Sequence, residues 1–543
     1  MDGNRNYEKQ YLQAVRQKNN LRIKVIITLI ATGGAFALSF FPNWIGSPIL
    51  SAVLCVIVGI VCLKELKQGI LSLFSKQPHM SAFGAAAILF TLIQLIWTIV
   101  SKENQTACFA WAVFLFLFIS YLLKYCYIRL FITNIQFVRD KDLFSVQTVD
   151  ADLKKRYINK VCMVTPVREF PEITDRIYSG DPMEKHSYPF VQIAIGACVV
   201  LGLISLWLQG PAVMFATFSA LTCLCAGIPG QTAFLIPYIR TQKQLQQEGS
   251  ILFGRYSINH LRQTQTLLIE DNELFPPNQV TLENILFTDK PHMAKALEYA
   301  VVLLNEISSP LAESVFKMCH FSKENLSAIS ALRSIQNYGL VGIINDDEVH
   351  MGNRNLLLSY GITPLSQDKE TELAAHGKSV TYLAINKKLV LVLAANYSVN
   401  PTLKQKTEEL GDFNILVESL DFNINEYMIS RCYNIPDINI MVTDSEETKI
   451  LYTAHKKMEK KEPDPVMITT KSALGALKSI LWTKKLVPIS ASCSFIKKFS
   501  IYIGLLLTEA AFLTVPGLVT PLWLVLYTLL WTITAYIISI RIH

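Results

Sequence analysis

The sequence predicts an α-helical polytopic membrane protein of about eight helices, with cytoplasmic α/β domains between them. Three observations carry this reading. Half of the 543 residues are hydrophobic, and they cluster in windows of about twenty that match a bilayer core of roughly 30 Å. The lysines and arginines gather in alternate connecting segments. The longest of these segments alternates strand-like and helix-like runs, the pattern of a mostly parallel sheet covered by helices.

In chain order, the apolar windows fall at 23–42, 48–64, 81–100, 108–130, 188–208, 211–236, 497–515 and 520–540. Pairs are joined by the short, charge-poor turns "PNWIGSP", "SKENQT", "QGP" and "VPGLVTP", whereas segments 1–22, 65–80, 131–187 and 238–496 hold the basic residues. The positive-inside rule therefore places both termini and the soluble mass in the cytoplasm. The mixed-charge leader lacks a small-residue cleavage site, so the first window is expected to stay as a helix rather than leave as a signal peptide.

The formal charge of +7 is spread over these loops. Attraction to anionic lipid headgroups accounts for it, and nucleic-acid binding is not expected. Of eleven cysteines, Cys55, Cys62, Cys108, Cys126, Cys198, Cys223 and Cys225 fall in apolar windows, and Cys162, Cys319, Cys432 and Cys493 are scattered singly. That spacing gives no zinc-type cluster and reads as small buried hydrophobes in a reducing compartment.

After the sixth window come "TLLIED", the amphipathic "MAKALEYAVVLLNEI", "GLVGIIND", "SVTYLAIN", "LVLVLAAN", "PTLKQKTEELG", "FNILVESLD", "NEYMISRCYNI", "INIMVTD" and "PVMITT". Ligands of open parallel sheets sit at the carboxyl ends of strands. Those ends are Glu270/Asp271, Ser419–Asp421, Thr443–Asp444 and Thr469–Ser472.

This order of parts, four helices, a small soluble piece, two helices, a split α/β domain with an insertion and two more helices, resembles the P-type ATPases, in particular the heavy-metal-transporting branch. Local stretches carry the resemblance. "LKQGILSLFSKQPHMSAFGAAA" (67–87) is similar to the amphipathic turn before that family's third helix. "IPGQTAFLIP" (228–237) shares Pro229 and Pro237 with its gate-helix motif, "SSPLAESV" (308–315) is similar to the nucleotide domain's His-Pro-Leu motif, and "NYGLVGIINDDEVHMGNRNLL" (337–357) is similar to its glycine stretch. The resemblance implies domains at 1–132 (four helices), 133–186 (a reduced actuator-like domain), 187–238 (two helices), 239–281 with 397–495 (a phosphorylation-like, HAD-like α/β domain), 282–396 (a nucleotide-binding-like insertion) and 496–543 (two helices).

The same comparison implies that the chemistry has been altered. The phosphorylated aspartate's position is Glu270, one methylene longer, and the following lysine and threonine become Asp271 and Asn272. Strand alternation points Asp271 away from the site. Ser419 and Asp421 stand in the place of the phosphate-binding Thr-Gly-Asp turn, and Lys449 in that of the phosphate-neutralising lysine. The metal-binding aspartate becomes Lys471 and the Asn-Asp pair Leu474 and Gly475, so no oxygen cage for Mg²⁺ is expected. In the insertion, the adenine-contacting histidine is Ser309, followed by Pro310, while Gly339, Gly342 and Gly352 remain. "YSGDPMEK" (178–185) superficially matches the actuator's Thr-Gly-Glu loop and is taken as coincidence. The gate cysteines are Ile228 and Gly230, which leaves Pro229, Pro237 and the intramembrane acid Glu509 as candidates for a membrane pathway.

The resulting expectation is a catalytically inactive, P-type-ATPase-like scaffold or regulatory subunit of a bacterial inner membrane, without cofactors, partnered by the bilayer and by another membrane protein or a second copy. Glu270 is expected to pair with Lys471 or Lys449 in place of Mg²⁺. The alternatives are a divergent cation pump phosphorylated at Asp271, using Mg²⁺ and ATP, or an ATP-independent channel or carrier.

Overall fold

A computed structural model describes residues 2–540 apart from 42–43, 45, 74–80, 102–107, 139–140, 154–157, 168–187, 320–325, 412 and 462–465. It divides into two compact units, Met1–Asp142 with Val167–Arg262 and Trp482–His543, and Leu143–Pro166 with Gln263–Leu481.

The first unit contains the helices α1 (Asp2–Leu38), α2 (Gly46–Val61), α3 (Leu63–Leu73), α4 (Ser81–Ser101), α5 (Ala110–Val138), α6 (Tyr188–Gln209), α7 (Pro211–Cys225), α8 (Ile228–Gln247) and α9 (Gly254–Gln263), and ends in a long helix (Ser472–Thr514, begun in the second unit) and a last helix (Pro521–Ile540). Five described helices are long and apolar enough to cross a membrane, and α2 with the start of α3, bent by 81°, makes a sixth if the pair is one span. The chain is thus a multi-pass membrane protein. Two expected spans differ in form. The window 211–236 is broken at Ala226–Gly227, where a Cβ on Gly227 would lie 2.7 Å from Thr528 Cγ2 and 2.8 Å from the Leu224 carbonyl. The window 497–515 is one stretch of the 43-residue long helix, which carries Pro488 inside it. Buried alanines (Ala31, Ala35, Ala82, Ala87, Ala110, Ala112) let helices approach closely, and Phe83, Phe109, Phe114 and Phe116 fill the space between them.

The second unit has two sheets. Its strands are β1 (Phe144–Leu153), β2 (Ile158–Pro166), β4 (Thr266–Glu270), β5 (Val280–Phe287), β6 (Ile329–Ile335), β7 (Gly339–Ile344), β8 (Asp347–Gly352), β9 (Ser379–Ile385), β10 (Lys388–Tyr397), β11 (Asn414–Glu418), β12 (Ile440–Thr443) and β13 (Met467–Thr469); β3 (Ser250–Leu252) belongs to the first unit. Helices α10 (Asp271–Leu274), α11 (Met293–Glu306), α12 (Leu311–Cys319), α13 (Arg354–Ser359), α14 (Gln367–Leu373), α15 (Pro401–Leu410), α16 (Glu426–Tyr433) and α17 (Ser445–Lys461) lie between them. Asparagines at Asn353, Asn400 and Asn425 start α13, α15 and α16 by accepting from the amides of Leu356, Leu403 and Met428.

In the first sheet the order is β12-β11-β4-β2-β1-β13. β4, β11 and β12 are parallel; α15 leads into β11 and α16 joins β11 to β12. The inserted sheet, β5-β10-β9-β8-β7-β6, is antiparallel throughout. This is the α/β architecture expected, with one correction. Segment 144–166 does not make the separate actuator-like domain. It forms a hairpin whose second strand pairs parallel with β4 (Cys162 opposite Leu267) and whose first pairs antiparallel with β13 (Val146 opposite Met467). The physical reason is burial. Val149, Leu153, Val161 and Met163 pack on Leu268, Leu416, Met441 and Leu451, and each such side chain contributes about 1.5–3 kcal/mol. "YSGDPMEK" lies outside the described residues.

Candidate functional site

The buried run of β4 ends at Glu270, and the chain turns at once into α10, closed by the Phe275 amide on the Asp271 carbonyl at 2.8 Å. Asp271 therefore escapes the strand alternation that was expected to turn it away. It is buried, at 6% exposure, and accepts the Ser419 hydroxyl at 2.6 Å. Glu270 is the exposed residue, opposite Glu418 in the parallel register. Asp271 rather than Glu270 is thus the carboxylate turned toward Ser419.

Ser419 links two carboxyls. While donating to Asp271, its oxygen accepts the Asp421 amide at 3.0 Å. Asp421 in turn accepts Ser309 at 2.5 Å, Tyr397 at 3.0 Å and the Asn423 amide at 2.9 Å. Asn423 donates to the Tyr397 hydroxyl at 3.2 Å and accepts from Thr381 at 3.1 Å. Asn272 reaches the Ser308 carbonyl at 3.5 Å. One bonded chain thus runs from the end of β4 through the turn after β11 to the start of α12 and the strands β9 and β10. It ties the turn after β11, in the parallel-stranded sheet, to strands of the inserted antiparallel sheet.

Burial dominates the electrostatics. It pushes the Asp271 carboxyl up to about 7, against the pull of Ser419 and with help from the neighbouring Asp421. Asp421 is raised by the same cause, offset by Ser309, Asn423 and Tyr397. Glu273 is also raised by burial; it takes the amide of Ala473 at 2.9 Å, and so caps the start of the long helix with a carboxylate.

The expected pairing of Glu270 with a lysine is not formed: among the described residues no ion pair joins Glu270 to Lys449 or Lys471. Lys449 is exposed on α17, and Lys471 follows β13. β2 and β1 stand between β13 and β4 in the sheet.

The residues present do not fit a nucleotide-bound Mg²⁺. Asp421 spends its lone pairs on protein donors, β13 ends in Thr469, Thr470 and Lys471 rather than a carboxylate, and among the described residues no three His, Cys, Asp or Glu side chains are placed to hold a metal. The glycines of the insertion have a packing reason. Gly339 and Gly352 face each other across β7 and β8. A Cβ on Gly339 would lie 2.3 Å from the Met351 carbonyl, one on Gly352 2.2 Å from that of Tyr338, and one on Gly342 3.2 Å from that of Ala331. Pro310 is buried just before α12, beside Ser309.

In the membrane unit, Pro229 lies in the first turn of α8 and Pro237 inside it, while Glu509 accepts Ser205 at 3.0 Å. Sequence reasoning missed Thr381, Tyr397, Asn423, Glu273 and Ser205. Only Asn423 left a local signal, two residues after Asp421 as an Asx turn requires.

No family model matches the sequence. The fold is similar to the crystal structure of a zinc-transporting PIB-type ATPase in its E2.Pi state, with a TM-score of 0.50 and 11% identity over 96% of this chain and 99% of that one. A second crystal structure of a zinc-transporting PIB-type ATPase gives the same score and identity over 95% and 99%. This chain has the fold of a heavy-metal P-type ATPase. In sequence, this P-type-ATPase-like chain is 27% identical over 112 residues to a copper-exporting P-type ATPase of Staphylococcus haemolyticus and 25% identical over 179 residues to one of Legionella pneumophila. The matches cover 20% and 32% of the chain and only 14% and 24% of those relatives.

Proposed function

We propose that this protein keeps the P-type scaffold without hydrolysing ATP, and acts as a binding or regulatory subunit in a bacterial inner membrane, its α/β domains on the cytoplasmic side. The observation that carries the reading is the bonded chain Asp271–Ser419–Asp421–Ser309. It spends, on protein partners, the groups that the family resemblance assigns to phosphate and nucleotide. Purified full-length protein given γ-labelled ATP and Mg²⁺ is expected to form no acid-stable, hydroxylamine-labile phosphoprotein. Pull-down from solubilised membranes with mass spectrometry then identifies the partner, another membrane protein or a second copy.

One observation favours a second reading. Asp271 is turned toward Ser419 at 2.6 Å rather than away from it, so a divergent pump phosphorylated there is the alternative. Its signature is a phosphoprotein that D271N abolishes and E270Q leaves intact.

A further inference from the structure

Three helices of the membrane unit bring a buried acid together with two hydroxyls. Thr217 on α7 donates to Ser205 on α6 at 3.2 Å, and Ser205 donates to Glu509 Oε1 on the long helix at 3.0 Å. Ser205 and Thr217 are fully buried and Glu509 is 5% exposed. Its second oxygen, Oε2, is buried without a hydrogen-bond partner. One turn further along the same seam, the Gln209 amide nitrogen donates to the carbonyls of Phe512 and Leu513 at 2.9 and 3.2 Å, and its Oε1 is likewise buried without a partner.

A lone carboxylate inside an apolar bundle costs several kcal/mol and needs a neutralising charge. Neither α4, α6, α7 nor the last helix contains an Asp, Glu, Lys or Arg. Their titratable groups are Tyr188, Cys198, Cys223, Cys225, Tyr527 and Tyr536, none of which carries positive charge. On the long helix the nearest cations are Lys497 and Lys498, about three turns and about 17 Å earlier. Among the described residues of these helices no cation lies beside Glu509, which leaves its neutralising charge to come from outside them.

We infer that Glu509, with Ser205 and Thr217, is a binding site for one small hard cation, in its simplest form the proton, at Oε2. All donors here are carboxyl, hydroxyl or amide oxygens, which suit H⁺ or an alkali ion and not a soft metal. The thiols of Cys198 and Cys225 meet each other instead, at 3.8 Å. The site lies four to six residues from the ends of α6, α7 and the long helix, about 6–9 Å deep. Those ends border the short turns after Gln209 and Thr514, which positive-inside places on the non-cytoplasmic face. A proton arriving from that face adds to Oε2, and its departure restores the carboxylate. The inference is independent of whether the α/β unit uses ATP.

The test is dicyclohexylcarbodiimide labelling of the full-length protein in detergent, mapped by peptide mass spectrometry. The reagent takes a protonated carboxyl in an apolar setting. Glu509 is expected to label, the rate falling about tenfold per pH unit above its midpoint, and S205A to move that midpoint upward by removing a donor to the charged form. Protection by Na⁺ over choline would assign the alkali ion as a competitor for the same oxygen. Absence of label at every pH in protein with an unchanged melting curve overturns the site, as does a rate indifferent to both pH and Na⁺. The wild-type protein alone decides these outcomes, so misfolding of E509Q would not obscure them.

Discussion

Asp271 is the residue on which the two readings of the α/β unit divide, and its protonation is measurable. Its folded value of about 7 lies above the ordinary 3.8. A carboxyl raised on folding contributes stability that is fully present below its unfolded value and is lost as the pH rises through the folded one. About three units at 1.36 kcal/mol each set a ceiling of about 4 kcal/mol. Melting of the α/β unit is therefore expected to weaken between about pH 4 and about pH 7, and D271N to flatten that slope and to melt several degrees above wild type at about pH 8. An unchanged slope in D271N would place the titration elsewhere. Asp421 gives a second test: Y397F removes one of its donors and is expected to cost about 0.5–1.5 kcal/mol in chemical denaturation, with faster proteolysis between the two α/β domains. At this scale the sequence was legible in kind but not in place. The carboxylate pair and the serine turn stand out in "LLIED" and "VESLD", but whether Glu270 or Asp271 turns inward depends on where β4 ends, and alternation cannot locate the residue at which a strand gives way to a helical turn.

Among elements, the hairpin β1–β2 matters most. Replacing 144–166 by a flexible linker removes Val149, Leu153, Val161 and Met163 from the core and exposes the flanks of β4 and β13. The expected result is loss of the folded α/β unit, seen as proteolysis of 263–481 in membranes that retain the helices. The paired glycines give a finer probe. G352A pushes a Cβ into the Tyr338 carbonyl and is expected to cost about 1–3 kcal/mol, measured by denaturation. Hydropathy and period reveal the helices and the strands of 263–481, because those signals are local. The hairpin's destination is not local: nothing in 144–166 points to Leu267 or Met467, far along the chain. The break at Gly227 was hidden because hydropathy runs on unbroken while the backbone does not.

For the whole molecule, the closed chain of hydrogen bonds predicts indifference to nucleotide. Millimolar ATP with Mg²⁺ is expected to leave the melting temperature unchanged, whereas a ligand at a hundred times its Kd would add about 2.7 kcal/mol. A clear upward shift would reopen the pump reading.

The interleaving of the α/β unit also dictates how the protein is made. Val146 finds its partner in Met467, more than three hundred residues later, and ribosomes add roughly 5–20 residues per second. For tens of seconds the β1 edge of the nascent hairpin waits unpaired, while α6, α7 and α8 are laid into the bilayer and β4 reaches the other edge. Correct maturation thus depends on a holding chaperone or on slow aggregation, and a stalled translation product ending before 467 would be a target for quality-control proteases.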